Sequence, residues 1–219
     1  MTVGDIQTLM LSWLDDMQGA YFTPAQTLVW INLAQRKAQM ELLQAGQNWY
    51  MMPVQTVTVQ YQQDYVLPDD FMVEHRLELV LSGTGFNENR QALTPMTTNQ
   101  SDLVQLSPGT PTNYYIKKDR VTIFPTPDQA NMVLRLYYSP RVQDLTSTSD
   151  VPDVPEQFME YVAILATFNG FIKDDRAPDN LVIKRAEYEQ ILQQMKNERT
   201  QDLSRQVVLT EPYQYGSMY

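Results

Sequence analysis

Hydrophobic and polar positions along this chain follow two different periods, and the period changes twice. Residues 3–16 place Ile6, Leu9, Met10, Trp13 and Leu14 at the three-and-four spacing of an amphipathic helix, which Gly19 and Ala20 interrupt. Thr23-Pro24-Ala25-Gln26 then reads as a helix start, with an N-cap threonine, proline at the first helical position and glutamine at the capping-box position. Leu28, Ile31, Ala34, Ala38 and Leu42 carry the stripe of a long second helix, and Gly46 supplies its stop.

After Pro53 the period becomes two. Val54, Thr56, Thr58 and Gln60 alternate with Gln55, Val57, Val59 and Tyr61, which predicts a strand with Val57, Val59 and Tyr61 on one face. Further strands are predicted at 64–67, 73–81, 113–118, 121–124 and 131–138, with Asp119-Arg120 as a tight hairpin and a short helix within 97–106. From Pro155 the helical period returns. Phe158, Tyr161, Val162, Leu165 and Phe168 line one helix. Leu181, Lys184, Tyr188, Ile191, Leu192 and Met195 line another, which starts near 175–179 and ends at about Arg199. Residues 206–219 have no helical period and read as an extended tail.

The order helices, strands, helices predicts an α+β protein. Residues 1–50 and 155–205 form one discontinuous helical bundle, and 51–154 form an inserted, mainly antiparallel β domain. Either helical pair alone would leave its apolar stripe in water.

Composition removes several chemistries. The 219 residues are 43% hydrophobic and 19% charged, which suits a globular chain. No run approaches the roughly 20 apolar residues of a membrane span, and the start lacks a signal peptide's basic region, so the expectation is a soluble protein made in a cytoplasm. No cysteine is present, which excludes disulfides, thiol nucleophiles and zinc ribbons. A formal net charge of −10 disfavours tight nucleic-acid binding, since that requires neutralising phosphates.

His75 is the only histidine, so a histidine metal cluster is excluded and any catalytic triad would have to be built around it. Within Glu74-His75-Arg76 it reads as a surface residue beside opposite charges. Gly83-Thr84-Gly85 lacks the third glycine and the strand-to-helix context of a dinucleotide loop, and no Gly-Lys-Ser/Thr phosphate loop occurs. Asp69, Asp70 and Glu74, or Asp150 and Asp153, offer paired carboxylates for glycoside hydrolysis or an oxygen-lined metal site. Turn and cap roles account for them better, so the expectation is no catalytic, cofactor-binding or metal-binding residue. In Tyr114-Tyr115 and Tyr137-Tyr138 one ring of each pair should face inward and the other outward, available to a sugar or to another protein. The tail carries Val207, Val208, Leu209, Pro212, Tyr213, Tyr215 and Tyr219, almost without charge, and looks built to dock on a partner.

Short motifs recur in a telling order: Tyr65-Val66-Leu67-Pro68-Asp69-Asp70-Phe71, Pro111-Thr112-Asn113-Tyr114-Tyr115 and Val121-Thr122-Ile123-Phe124-Pro125-Thr126-Pro127. Leu134-Arg135-Leu136-Tyr137-Tyr138-Ser139-Pro140 and Val151-Pro152-Asp153-Val154-Pro155-Glu156 follow. Leu-Pro-Asp-Asp-Phe ends a strand, Phe-Pro-Thr-Pro is a stiff link, and Val-Pro-Asp-Val-Pro forbids helix before Glu156. The series, over about residues 54–200, resembles the adaptor (head-tail connector) proteins that join portal to tail in tailed phages, especially short-tailed ones. The resemblance implies a dodecameric ring of identical subunits in the neck of the virion, under the portal protein and above a tail nozzle or tube. It also implies a channel through which genomic DNA passes without specific contacts, no catalytic residues and no membrane partner. In such proteins an extended C-terminal segment engages the portal, which casts the seven tail residues above as portal-docking residues. The alternative is a carbohydrate-binding or tail-tip module of the virion that uses exposed tyrosines. A hydrolase using Asp69, Asp70 or Glu74 is a third reading.

Overall fold

The computed structural model describes residues 1–46, 50–83, 87–97, 107–174 and 179–208, with side chains of the last helix described at 182–194, 196 and 197. The chain is mixed α+β and divides into two compact units, 1–47 with 142–219, and 48–141.

In the first unit, α1 (Val3–Trp13) opens with a capping box in which Thr2 accepts from the Asp5 N–H and the Asp5 carboxylate accepts from the Thr2 N–H. A second capping box, Thr23 with Gln26, opens α2 (Pro24–Gln44) with proline in its first turn, as the sequence predicts. Gly46 follows the C-cap Ala45 with φ 85°, the left-handed conformation that ends helices at glycine. Between the helices the Asp16 carboxylate accepts the N–H groups of Ala20, Tyr21 and Phe22, which turns the chain and delivers Phe22 to the core.

A short 3-10 turn (Glu156–Phe158) leads into α3 (Met159–Lys173). Residues 161–167 of α3 are buried one after another, which is the signature of a helix with no face to water. It packs against α1, α2 and α4 (Asp179–Val208). Leu14, Phe22, Ile164 and Phe171 form one cluster there, with Trp13, Trp30, Phe168 and Tyr188 against it. α4 continues to Val208, past the end expected at Arg199, so Val207 and Val208 are helical rather than part of an extended tail; residues 209–219 lie outside the described residues. Of the residues placed on the inner stripe by sequence, Ile191 is exposed and Leu192 is buried, while Lys184, though exposed along its stem, reaches back to Glu160 of α3 and over the Trp13 ring.

The buried face of α2 is partly polar. Gln35 and Gln39 are buried because they serve a returning backbone: the Gln35 Nε2 donates to the Gln143 carbonyl at 2.7 Å, and the Gln39 Oε1 accepts from the Val142 N–H at 3.2 Å. Asn32 contacts Leu145 twice, donating to its carbonyl at 3.0 Å and accepting from its N–H at 2.8 Å. Residues 142–154, assigned from sequence to the β segment, therefore belong with the helices, and Val142, Leu145 and Val154 are buried there.

Among its described residues the second unit holds two four-stranded sheets. The first runs β1 (Met52–Val57), β8 (Val133–Pro140), β3 (Phe71–Ser82), β4 (Asn89–Ala92). The second runs β2 (Asp64–Val66), β7 (Arg120–Phe124), β6 (Asn113–Lys117), β5 (Thr94–Pro95), antiparallel except for β5 with β6. β4 and β5 are too short and polar to show a period, and neither is predicted from sequence. The β6–β7 loop is Lys118-Asp119, one residue earlier than expected, and Lys118 takes the positive φ of 58°. Leu77, Leu79, Leu134, Leu136 and Tyr138 from the first sheet share a core with Tyr65, Tyr114, Val121 and Ile123 from the second. β1 ends at Val57, short of the Val59 and Tyr61 that the sequence places on the same strand face, and Val57, Val59 and Tyr61 are 49%, 49% and 66% exposed. Thr58 is buried instead, since its hydroxyl donates to the Gln129 carbonyl and accepts from the Met132 N–H. The expected helix at 97–106 lies, apart from Thr97, outside the described residues.

Asn32→Ala should lower stability by about 2 kcal/mol, the sum of two backbone hydrogen bonds, measured by urea unfolding. Three N–H donors, Phe22 first, hold the Asp16 carboxyl below its ordinary value of 3.8. Because the folded pKa is the lower one, this contribution is complete above the ordinary value and disappears as pH falls through the folded one. Asp16→Asn should therefore lose stability at neutral pH, and its unfolding curve should converge with the parent's as the pH falls below the ordinary value and the Asp16 carboxyl protonates in the folded state.

Candidate functional site

The residues with the most chemistry in the sequence are engaged in scaffolding. The Tyr138 hydroxyl donates to the Asp70 carboxylate at 3.0 Å, while the Asp70 carbonyl accepts from the Arg141 N–H. Burial first, then Asp70, raises the Tyr138 phenol above its usual value, so the proton stays on the tyrosine. Asp69 is exposed in the turn after Pro68. Glu74 and Arg76 flank a register shift between β3 and β8, with His75 inside it. His75 is half-buried rather than on the open surface, and its Nε2 lies 2.7 Å from the Oγ of fully buried Ser139. Asp150 accepts from the N–H groups of Thr146 and Ser147 and thereby closes a loop, which lowers its pKa. Among the described residues no group of three or more histidine or acidic side chains could hold a metal. Gly83 takes a φ of 87°, a turn glycine; Thr84 and Gly85 lie outside the described residues.

The tyrosine pairs do split across the pleat. Tyr114 and Tyr138 are the inward members, 3% and 5% exposed, and neither can stack on a sugar. Tyr137 faces outward beneath the Arg76 guanidinium, 4.0 Å from its ring centroid. A carbohydrate site built on Tyr114 or Tyr138 is therefore ruled out by their burial.

Charge on the outer face of the first sheet is also paired. Arg135, on central β8, donates to both carboxylate oxygens of Glu88 at 3.0 and 3.1 Å, and Arg90 reaches the same carboxylate at 2.7 Å. The Arg135 hydrogen bond is the first cause of the lowered Glu88 pKa. In the helical unit the Tyr188 hydroxyl donates to Glu160 at 3.0 Å, and burial together with that carboxylate pushes the phenol up to about 12.

What remains open is apolar surface. A groove of about 250 Å³ lies between the two sheets at the edge strands β1 and β2, walled by Val54, Tyr65, Leu67, Leu77, Leu134 and Leu136. Apart from Gln55, Thr56 and the Tyr65 phenol its lining is apolar, so it offers mainly packing and strand edges. Sequence reasoning misses it, because Val54 and Val66 read as ordinary strand residues until both strands prove to be edges. The tail residues expected to dock are divided: Val207 and Val208 lie in α4, and Leu209, Pro212, Tyr213, Tyr215 and Tyr219 lie outside the described residues. No described helix is long and apolar enough to cross a membrane.

Asp70→Ala should cost about 1–2 kcal/mol by freeing the Tyr138 hydroxyl, with no glycosidase or nuclease turnover before or after the change. Turnover that disappears with Asp70 would instead make it catalytic.

A search of curated proteins finds no match. A family model does match, over residues 1–210, and it is that of the SU10 adaptor protein. The match spans both units and nearly the whole chain, so this protein belongs to the SU10 adaptor family of phage structural proteins.

Proposed function

We propose that this chain is the subunit of a head-tail connector ring in the neck of a tailed phage, made in the host cytoplasm and built into the virion between portal and tail. Family membership over residues 1–210 carries the reading. Its supports are the scaffold roles taken by Asp70, His75 and Asp150 and the surfaces that offer packing rather than chemistry. In this reading α1 to α4 form a helical bundle, twelve bundles surround a channel, and the β units reach toward a nozzle or tail tube. The net charge of −10 suits a channel wall that lets a phosphate backbone slide without adhering.

The 30 residues of α4 span about 45 Å at 1.5 Å per residue. A helix of that length is a spacer, and it would carry the segment from Val207 and Val208 through Leu209, Pro212, Tyr213, Tyr215 and Tyr219 to the portal. Tyrosine and proline give such a segment apolar area at low ordering cost.

Mixed with the portal protein of its own genome, the full chain should form coaxial rings on the portal in electron micrographs. Removing residues 209–219 should abolish portal attachment while leaving the ring. Separate particles under both conditions would overturn the connector reading.

A further inference from the structure

The outward faces of the helices that enclose α3 are not alike. α1 exposes Asp5, Thr8 and Ser12, a polar face suited to water. α2 exposes Val29, Leu33 and Met40 at 55%, 49% and 51%, all on one stripe, with Arg36 and Lys37 between Leu33 and Met40. α4 exposes Val182, Ile183 and Ile191 at 52%, 63% and 41%, with Glu187 midway between the two isoleucines. Each stripe thus has apolar residues about 11–12 Å apart and a charge at the centre.

The central charges are opposite. Asp144 engages Arg36, whereas Lys37 has only Glu41 at 4.0 Å among its described ion pairs, and that carboxylate already accepts the Tyr161 hydroxyl at 2.6 Å. Lys37 is therefore the outward cation of α2. On α4, Lys184 binds Glu160 and Arg185 binds Glu189, so Glu187 is the acid that faces out between Ile183 and Ile191.

We propose that the α2 stripe of one copy docks on the α4 stripe of the next, with Lys37 opposite Glu187 and the apolar residues packed on either side. The inference rests on the ring reading above and names its subunit contact. A charge at the middle of each stripe meets its opposite whether the helices run parallel or antiparallel. Pairing α2 with α2 would set Lys37 against Lys37, and α4 with α4 would set Glu187 against Glu187, so a two-fold dimer through either face is disfavoured. The two stripes lie on different helices, so each contact leaves one stripe of each kind open. Such a head-to-tail interface propagates until rotation closes a ring.

The absence of cysteine in the chain makes the test direct. Full-length K37C, E187C and the double variant K37C/E187C are treated with a short bismaleimide, alone and on the portal, and run on denaturing gels. The double variant should give a ladder of covalent oligomers, an equal mixture of the two single variants should stop at dimers, and each single variant alone should stay monomeric. In parallel, K37E or E187K should reduce the ring fraction about tenfold or more, and K37E/E187K should restore it. Rings that form without a ladder would overturn this contact and leave the ring reading standing. Dimers from a single variant alone would replace the contact with a two-fold one. A parent chain that forms no ring, alone or on the portal, would overturn both.

Discussion

A helix buried on every side sets the terms for the rest of the helical unit. From Tyr161 to Thr167 every side chain of α3 is enclosed, and two helices contributed by residues after 155 cannot enclose one another. α1 and α2, from the other end of the chain, supply the missing walls through Ile6, Met10, Ile31, Ala34 and Ala38. The β unit is an insertion because the chain must leave this core after α2 and come back to it. The return is held by Asn32, Gln35 and Gln39, which satisfy the backbone of residues 142–145 as a neighbouring strand would.

That enclosure uses only part of the surface of α2 and α4. Tyr188 stacks on Tyr161 at 5.3 Å and Leu192 is buried, yet Val182, Ile183 and Ile191 on the same helix face away. Monomers seldom leave apolar stripes on two helices without a use for them. The β unit repeats the theme, with an apolar groove beside β1 and β2, which are edge strands among the described residues. Surfaces of this kind, and a helix about 45 Å long, suit a subunit that assembles with other proteins.

Local rules account for much of this architecture. The Thr23 capping box, Gly46, the Pro53 switch of period and the strands at 64–66, 113–117 and 120–124 are legible in the sequence because they depend on neighbours along the chain. Failures cluster where a distant partner decides. Gln35 and Gln39 look like surface residues of a helix until residues 142–143 arrive to use them. Val57, Val59 and Tyr61 look like one face of a single strand, yet β1 stops at Val57, where Thr58 turns to bond with Gln129 and Met132. Periodicity ends α4 too early because Val207 and Val208 resemble strand residues, although the helix runs through them. Among the candidate chemical residues, residue type alone suggests acid–base pairs. Asp70 with Tyr138 and His75 with Ser139 are long-range hydrogen bonds that no spacing rule reveals.

Image reconstruction of the intact virion tests the central claim most directly. A ring at the neck, between the capsid vertex and the tail, whose repeating density is fitted by the buried α3, its enclosing helices and the two four-stranded sheets, is the predicted result. The same fold found at the tail tip, or absent from the particle, would contradict it.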